Sequence, residues 1–269
     1  MNADVLSLSG EKKGSVSLPE MFNVDVDRVL IRRAVLAMQS ARIQPNGPNP
    51  RAGREYTAEY EGLRKKPQMH RTINVGHARL PRMKNRKFIL SGQVALVPRA
   101  VGGPQAHKLN PEKILKEKIN KKERRKALES AVAATGKAEI VRGRGHKFDE
   151  KTKLPLVVDA ELEGLEKTKD VREALKRLGV WMDVERAEAR KGVRAGKGKK
   201  RGRKYKRAKS VLIIVENPEK IYRAARNLEG VEVTAVRNLN IELLAPGTEP
   251  GRLTLWSEGA IVKVGEHNG

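Results

Sequence analysis

Gly192-Val-Arg-Ala-Gly196-Lys197-Gly198 sets a lysine among glycines in the manner of a phosphate-cradling loop. The glycine spacing is one residue short of the nucleotide-binding pattern and no Ser or Thr follows the lysine, so nucleotide binding is not expected. Asp159, Glu161 and Glu163 alternate after an apolar run and could serve as metal-holding nuclease carboxylates. The plainer reading, acids on the solvent side of a strand end, is the expectation. The five histidines stand at 70, 77, 107, 146 and 267, without the paired spacings of metal sites. With no cysteine in the chain, disulfide scaffolds and Cys-ligated zinc modules are excluded. Strand ends offer Glu216, Asn217 and Asp159 but no organised acid–base set. No catalytic residue, cofactor or metal is expected.

What the sequence does supply is positive charge, concentrated in two places. Its 269 residues contain 57 Lys+Arg and 32 Asp+Glu, a net charge of +25, which points to a polyanionic partner. Residues 42–108 carry +11 and residues 190–209 carry +12, leaving the remaining 182 residues at +2. The first segment presents Arg51, Arg54, Arg64, Lys65, Lys66 and Arg71, then His77, Arg79, Arg82, Lys84, Arg86 and Lys87, then Arg99 and His107. The second presents Arg194, Lys197, Lys199, Lys200, Arg201, Arg203, Lys204, Lys206 and Arg207, with Tyr205 among them as a packing or base-stacking ring. Lys and Arg spaced by glycine can follow a phosphate backbone at close range. With 2 Trp, 4 Tyr and 3 Phe there is little material for stacking platforms, so shape and phosphate recognition is expected rather than base readout.

The elements that must hold these segments read as α/β: an open, mostly parallel sheet flanked by helices, a three-layer, Rossmann-like body. Val5 to Leu8 predicts a short strand, and Asp25 to Ala41 a helix with Leu30, Ala34, Ala37, Met38 and Ala41 on one face. Asn110-Pro111-Glu112 predicts one helix start, and Asn120 with Glu123 a capping box for another helix to about Ala134. Leu156-Val-Val158 predicts a strand, followed by a helix with Val171, Ala174, Leu175 and Leu178 inward and Gly179 past its end. Val211 to Val215 is an apolar, mostly β-branched run suited to a strand buried on both faces. Asn217-Pro218-Glu219 then reads as N-cap, N1 and first-turn acid of a helix carrying Ile221, Ala224, Ala225 and Leu228, stopped by Gly230 before the next strand. Trp181 and Trp256 read as core or interface anchors.

Residues 1–42 and 109–269 are therefore expected to form the body, and 43–108 an extended basic arm inserted in it. The arm's prolines and glycines recur without apolar period. As a hairpin of roughly 30 residues per side it could reach on the order of 100 Å. No stretch approaches the roughly 20 apolar residues of a membrane span, and Met1-Asn2-Ala3-Asp4 lacks a signal-peptide pattern, so a reducing cytosol is expected. An RNA-processing or RNA-modifying enzyme gripping its substrate with the basic loops is the alternative from another class. A nucleoid-packaging protein would explain the charge but not the neutral body.

Three stretches carry a resemblance. They are Leu96 to His107 (Leu-Val-Pro-Arg-Ala-Val-Gly-Gly-Pro-Gln-Ala-His) with the run Asn120-Lys-Lys-Glu-Arg-Arg-Lys-Ala-Leu-Glu-Ser-Ala, Val193 to Lys206, and Leu244 to Ala260. In this order and spacing the chain resembles, over essentially its whole length, large-subunit ribosomal protein four in its archaeal and eukaryotic form. The resemblance implies a structural protein of the cytoplasmic ribosome that acts in subunit assembly and translation. Its implied partners are large-subunit ribosomal RNA, neighbouring ribosomal proteins and, near the arm tip, the nascent peptide, with no membrane. It further implies that the tip, here Gly76, Arg79, Arg82, Met83, Lys84, Asn85 and Arg86, lines a narrow point of the peptide exit tunnel. Met69 to Arg82 keeps only the Gly-His-Ala-Arg and Pro-Arg portions of the family's run.

Overall fold

The structure is a computed structural model that describes residues 2–51, 53–60, 62, 73, 76–83, 92–94, 97–105, 110, 112–150 and 152–266. Arg64, Lys65, Lys66, Arg71, Lys84, Asn85, Arg86, Lys87 and His107 lie outside the described residues, as does Pro111. Contacts divide the chain into two units, residues 1–41 with 116–269, and residues 42–115.

The first unit is α/β. In chain order it contains β1 (Asn2–Leu6), β2 (Lys12–Ser17), α1 (Arg28–Ser40), α2 (Lys121–Gly136), α3 (Ala138–Gly143), β3 (Leu156–Val158), α4 (Thr168–Arg177), α5 (Trp181–Ala189), β4 (Gly192–Val193), β5 (Tyr205–Lys206), β6 (Leu212–Val215), α6 (Glu219–Ala225), β7 (Glu232–Ala235), α7 (Ile241–Leu244), β8 (Thr254–Ser257) and α8 (Glu258–Glu266). Among the described residues a six-stranded sheet has the order β2-β1-β3-β8-β6-β7, parallel except for β2 at its edge.

Period-two alternation explains why this sheet is covered on both faces. Val157, Leu212, Ile214 and Trp256 enter one core with Ile31, Ala34 and Val35 of α1 and Ala127, Ala131 and Val132 of α2. Leu156, Val158, Ile213, Val215 and Leu255 enter the other with Val171 and Leu175 of α4 and Ile221, Ala224 and Ala225 of α6. Trp256 is fully buried, with the Phe22 ring edge-on at 5.6 Å.

Local signals set several boundaries. Asp27 caps α1 by accepting from the N–H groups of Val29 and Leu30, both at 3.0 Å. The capping box at Asn120 and Glu123 is formed, and Gly179, at φ +73°, ends the turn after α4.

Four expectations are corrected. The first strand runs from Asn2 to Leu6, because Ser7 opens a tight turn in which the Gly10 N–H donates to its carbonyl at 3.0 Å. That turn leads into β2, an unexpected strand. Along α1 Ala34 and Ala37 are buried and Leu30 and Met38 pack against the core as expected, joined there by Ile31 and Val35, but Ala41 is exposed and lies past the end of the helix. No helix starts at Asn110: its side chain accepts from the Glu112 N–H at 3.0 Å and closes a single turn, and residues 113–119 have no regular structure. The apolar residues there are too few for a helical stripe, and Ile114 is exposed. Finally, Pro218 rather than Asn217 precedes α6, and the Asn217 N–H is engaged elsewhere.

In the second unit the described residues form turns and one isolated antiparallel bridge, Glu59 to Arg82. The turn from Val97 to Gly103 explains the double glycine. A Cβ on Gly103 would stand 1.9 Å from the Val97 carbonyl oxygen, closer than any side chain can sit.

Candidate nucleic-acid interface

Residues 190–209 form a β-hairpin rather than an irregular loop. β4 pairs antiparallel with β5, Gly192 opposite Lys206 and Val193 opposite Tyr205, and the Arg194 N–H donates to the Lys204 carbonyl at 2.8 Å. A short 3₁₀ turn, Lys197–Lys200, makes the tip. Gly196 (φ +73°) and Gly202 (φ +77°) bracket it in a backbone region that favours glycine.

Among the described residues, charge along this hairpin is compensated only at its base. Lys191 and Arg207 share Glu229, at 2.5 and 3.8 Å, and Lys209 pairs with Glu232. The Lys191 ammonium, chiefly, holds the Glu229 carboxyl below the usual range. Lys197, Lys199, Lys200, Arg201, Arg203, Lys204 and Lys206 make no ion pair among the described residues, and all seven are exposed. Two expected contacts have internal duties as well: Arg194 donates from Nε to the Arg203 carbonyl at 3.2 Å, and the Tyr205 ring has Lys204 and Lys191 at 5.4 and 5.8 Å from its centroid.

A buried polar cluster fixes the root of the hairpin. Asp183, fully buried on α5, accepts five hydrogen bonds. They come from His146 Nδ1 (2.9 Å), the Lys147 N–H (2.9 Å), two Arg186 nitrogens (2.7 and 3.2 Å) and the Ser210 hydroxyl (2.8 Å). Arg186 also donates to the Lys209 carbonyl at 2.8 Å. Arg252, fully buried, donates to the carbonyls of Ser210 (2.9 Å), Leu243 (3.0 Å) and Gly230 (3.3 Å) and to the Glu232 carboxylate (2.6 Å). Ser210, where the hairpin re-enters the sheet, is thus held at its hydroxyl by Asp183 and at its carbonyl by Arg252.

The electrostatics of this cluster make stability depend on pH. Burial pushes His146 below its ordinary value, with the neighbouring Arg186 and Arg144 acting in the same direction against the pull of Asp183. Burial alone would raise the Asp183 carboxyl, but hydrogen bonds from His146 and Arg186 outweigh it and hold the group well below the carboxylate range. Below pH about 6.5 the unfolded chain takes up a proton at His146 that the folded ring resists, so stability falls as pH drops through that value. One such proton sets a slope approaching about 1.4 kcal/mol per pH unit. A second loss, from Asp183, begins below about pH 4. Urea unfolding from pH 7.5 to 5 should show midpoints falling with acidity; midpoints flat through pH 6 would contradict a neutral buried His146.

In the second unit Arg51, Arg54, His77, Arg79 and Arg99 are exposed. Arg82 is half-buried and donates to the carbonyls of Gly92 (2.9 Å) and Ala78 (3.0 Å). Gly76 takes a left-handed φ of +77°, and Met83 exchanges backbone hydrogen bonds with Gly92 and Gln93.

Of the three carboxylates that could have suggested catalysis, Glu161 is exposed as expected, and the other two are occupied. Asp159 is buried rather than on the solvent side, binding Lys13 and the Ala160 N–H (2.7 Å). Glu163 turns inward and accepts from the Glu216 N–H (2.8 Å), the Asn217 N–H (3.1 Å) and the Ser257 hydroxyl (2.7 Å). It closes the carboxyl ends of β6 and β8, where open α/β sheets place their ligands. Among the described residues no group of three His, Cys, Asp or Glu could hold a metal, and no helix is long and apolar enough to cross a membrane.

Sequence reasoning missed His146, Asp183, Ser210 and Arg252. One signal was available: Arg252 stands directly before the apolar run Leu253-Thr-Leu-Trp256, where a solvated arginine is out of place.

A family model described as the ribosomal protein L4/L1 family matches residues 16–267. The chain is 48% identical over 266 residues, 99% of both chains, to large ribosomal subunit protein uL4 of Archaeoglobus fulgidus. It is 47% identical over 269 residues, the full length of both, to the protein of that name from Methanopyrus kandleri. To the one from Methanoculleus marisnigri it is 48% identical over 266 residues, again 99% of both.

Proposed function

The chain belongs to the ribosomal protein L4/L1 family, and from that premise we propose that its two basic segments anchor it in the large ribosomal subunit by binding ribosomal RNA. It is a structural constituent of that subunit and not an enzyme, working in translation in the cytoplasm. The observation that carries the RNA-binding reading is the outer part of the hairpin, seven exposed cations without an ion pair among the described residues on a ribbon whose glycines allow close approach. Lys197, Lys199, Lys200, Arg201, Arg203, Lys204 and Lys206 meet phosphates, while Arg194 and Arg207 brace the ribbon.

Residues 43–108 are the arm. It threads between RNA helices through its arginines, and its tip around Gly76 to Arg86 reaches the nascent-peptide exit tunnel. The body, a three-layer, Rossmann-like sheet and helix sandwich, stays outside and adjoins neighbouring ribosomal proteins. Supporting this is the charge map, with +11 on residues 42–108 of a chain whose remainder outside the hairpin is nearly neutral.

Sedimentation of a lysate through sucrose at high salt tests the reading. The protein is expected to remain with the large subunit when loosely bound basic proteins are stripped; appearance in the light fractions would overturn it. A variant lacking residues 60–90 should keep the wild-type circular dichroism of the body, and loss of folding would make the arm part of the core.

A further inference from the structure

We propose that a cleft between α1, α2 and the turn leading into α7 receives one unstacked nucleotide of the ribosomal RNA, a site separate from the hairpin and the arm. The inference rests on the RNA-binding reading above. The cleft has a volume of about 290 Å³, near the lower end of the ~300–1,000 Å³ typical of small-molecule sites. Its floor is apolar, from Met38 on α1, Leu128 on α2 and Leu239 with Ile241 at the start of α7. Ile241 is only 2% exposed and the other three pack on the core beneath, so the floor is fixed.

Its rim is cationic. Lys121, Arg124 and Arg125 are exposed and make no ion pair among the described residues. The acids nearby are engaged: Glu123 accepts from Arg33 (3.1 Å) and the Asn120 N–H (3.3 Å), and Glu242 accepts from Gln39 (3.2 Å). Cations in the first turns of a helix oppose its dipole, so this arrangement costs stability unless an anion is bound there. An apolar slot with cations along its lip matches a nucleotide, whose flat base is apolar on its faces and whose phosphates flank it. Asn240 adds selectivity: its Oδ1 accepts from the Leu243 N–H at 2.9 Å, leaving the side-chain amide as a donor for a base edge. The hairpin tip, which has no buried residue, offers phosphate contact only.

Ultraviolet cross-linking of the full-length protein bound to large-subunit ribosomal RNA, read by mass spectrometry, tests the site. A nucleotide is expected covalently attached within residues 121–128 or 238–243. The double variant Arg124→Glu/Arg125→Glu, on an exposed helix face and checked by circular dichroism, should bind about tenfold more weakly. It should also have a salt slope lower by about two and lose that cross-link while keeping those in residues 194–206. Cross-links at the hairpin with none at the cleft, in the wild type, would overturn the site and leave the RNA-binding reading standing. A weakened double variant without any base cross-link at the cleft would reduce it to a phosphate contact and also overturn the proposal. Absence of cross-links everywhere would bring down the RNA-binding reading itself.

Discussion

Replacing Asp183 with asparagine is expected to destabilise the protein by about 3–5 kcal/mol, the range found when one partner of a buried charge pair is removed. The shape of the side chain is nearly unchanged, so packing does not supply the loss. The cause is the donor set: five hydrogen bonds converge on this carboxylate, and its side chain is completely buried. An amide accepts at one oxygen only, and its NH₂ faces further donors. Arg186, at 9% side-chain exposure, is left with an uncompensated charge. The Ser210 hydroxyl loses its acceptor at the point where the hairpin joins β6. Urea unfolding followed by circular dichroism gives the number, with the exposed acid Glu188→Gln of the same helix as control, expected within about 0.5 kcal/mol of wild type. A loss under 1 kcal/mol for Asp183→Asn would mean that water reaches the cluster and that the hairpin root is not held this way.

The contrast between Asp183 and its neighbours shows what a sequence discloses. Val211 to Val215 announces a central parallel strand because both faces demand apolar residues. Asn120 with Glu123 announces the start of α2 because capping is a local matter. β2 escapes notice for the opposite reason. Lys12-Lys-Gly-Ser-Val-Ser17 is an edge strand exposed along most of its length, with Val16 alone packing on a core, so it shows no clear alternation. The polar cluster is invisible because His146, Asp183, Ser210, Glu232 and Arg252 come from five separate stretches, each with a charge or hydroxyl that elsewhere would be solvated. Net charge, by contrast, survives without any knowledge of the fold, since the two basic segments stand out by counting alone. The finer division within the hairpin does not: Glu229 and Glu232 neutralise its base from a different part of the sequence.

That division decides where the largest effect on RNA binding should fall. Reversing Lys199, Lys200, Arg201 and Arg203 to glutamate should weaken binding to ribosomal RNA by about a thousandfold near 0.1 M salt. It should also reduce the slope of log K against log salt by three to four, since each lost phosphate contact removes about 0.7–0.9. All four are exposed, at the tip turn or just after it, so the fold should be unaffected, and thermal unfolding should stay within a degree or two of wild type. Reversing Lys167 and Lys169, exposed cations near the start of α4, changes net charge without touching the hairpin and should leave the slope close to wild type. If both variants lose affinity in proportion to net charge alone, binding is diffuse attraction over a long Debye length and the hairpin has no special place in it. If only the tip variant flattens the slope, counterions are displaced at this ribbon. The ordered base, held by Asp183 and Arg252 and neutralised by Glu229 and Glu232, is then what aims an uncompensated tip at the RNA.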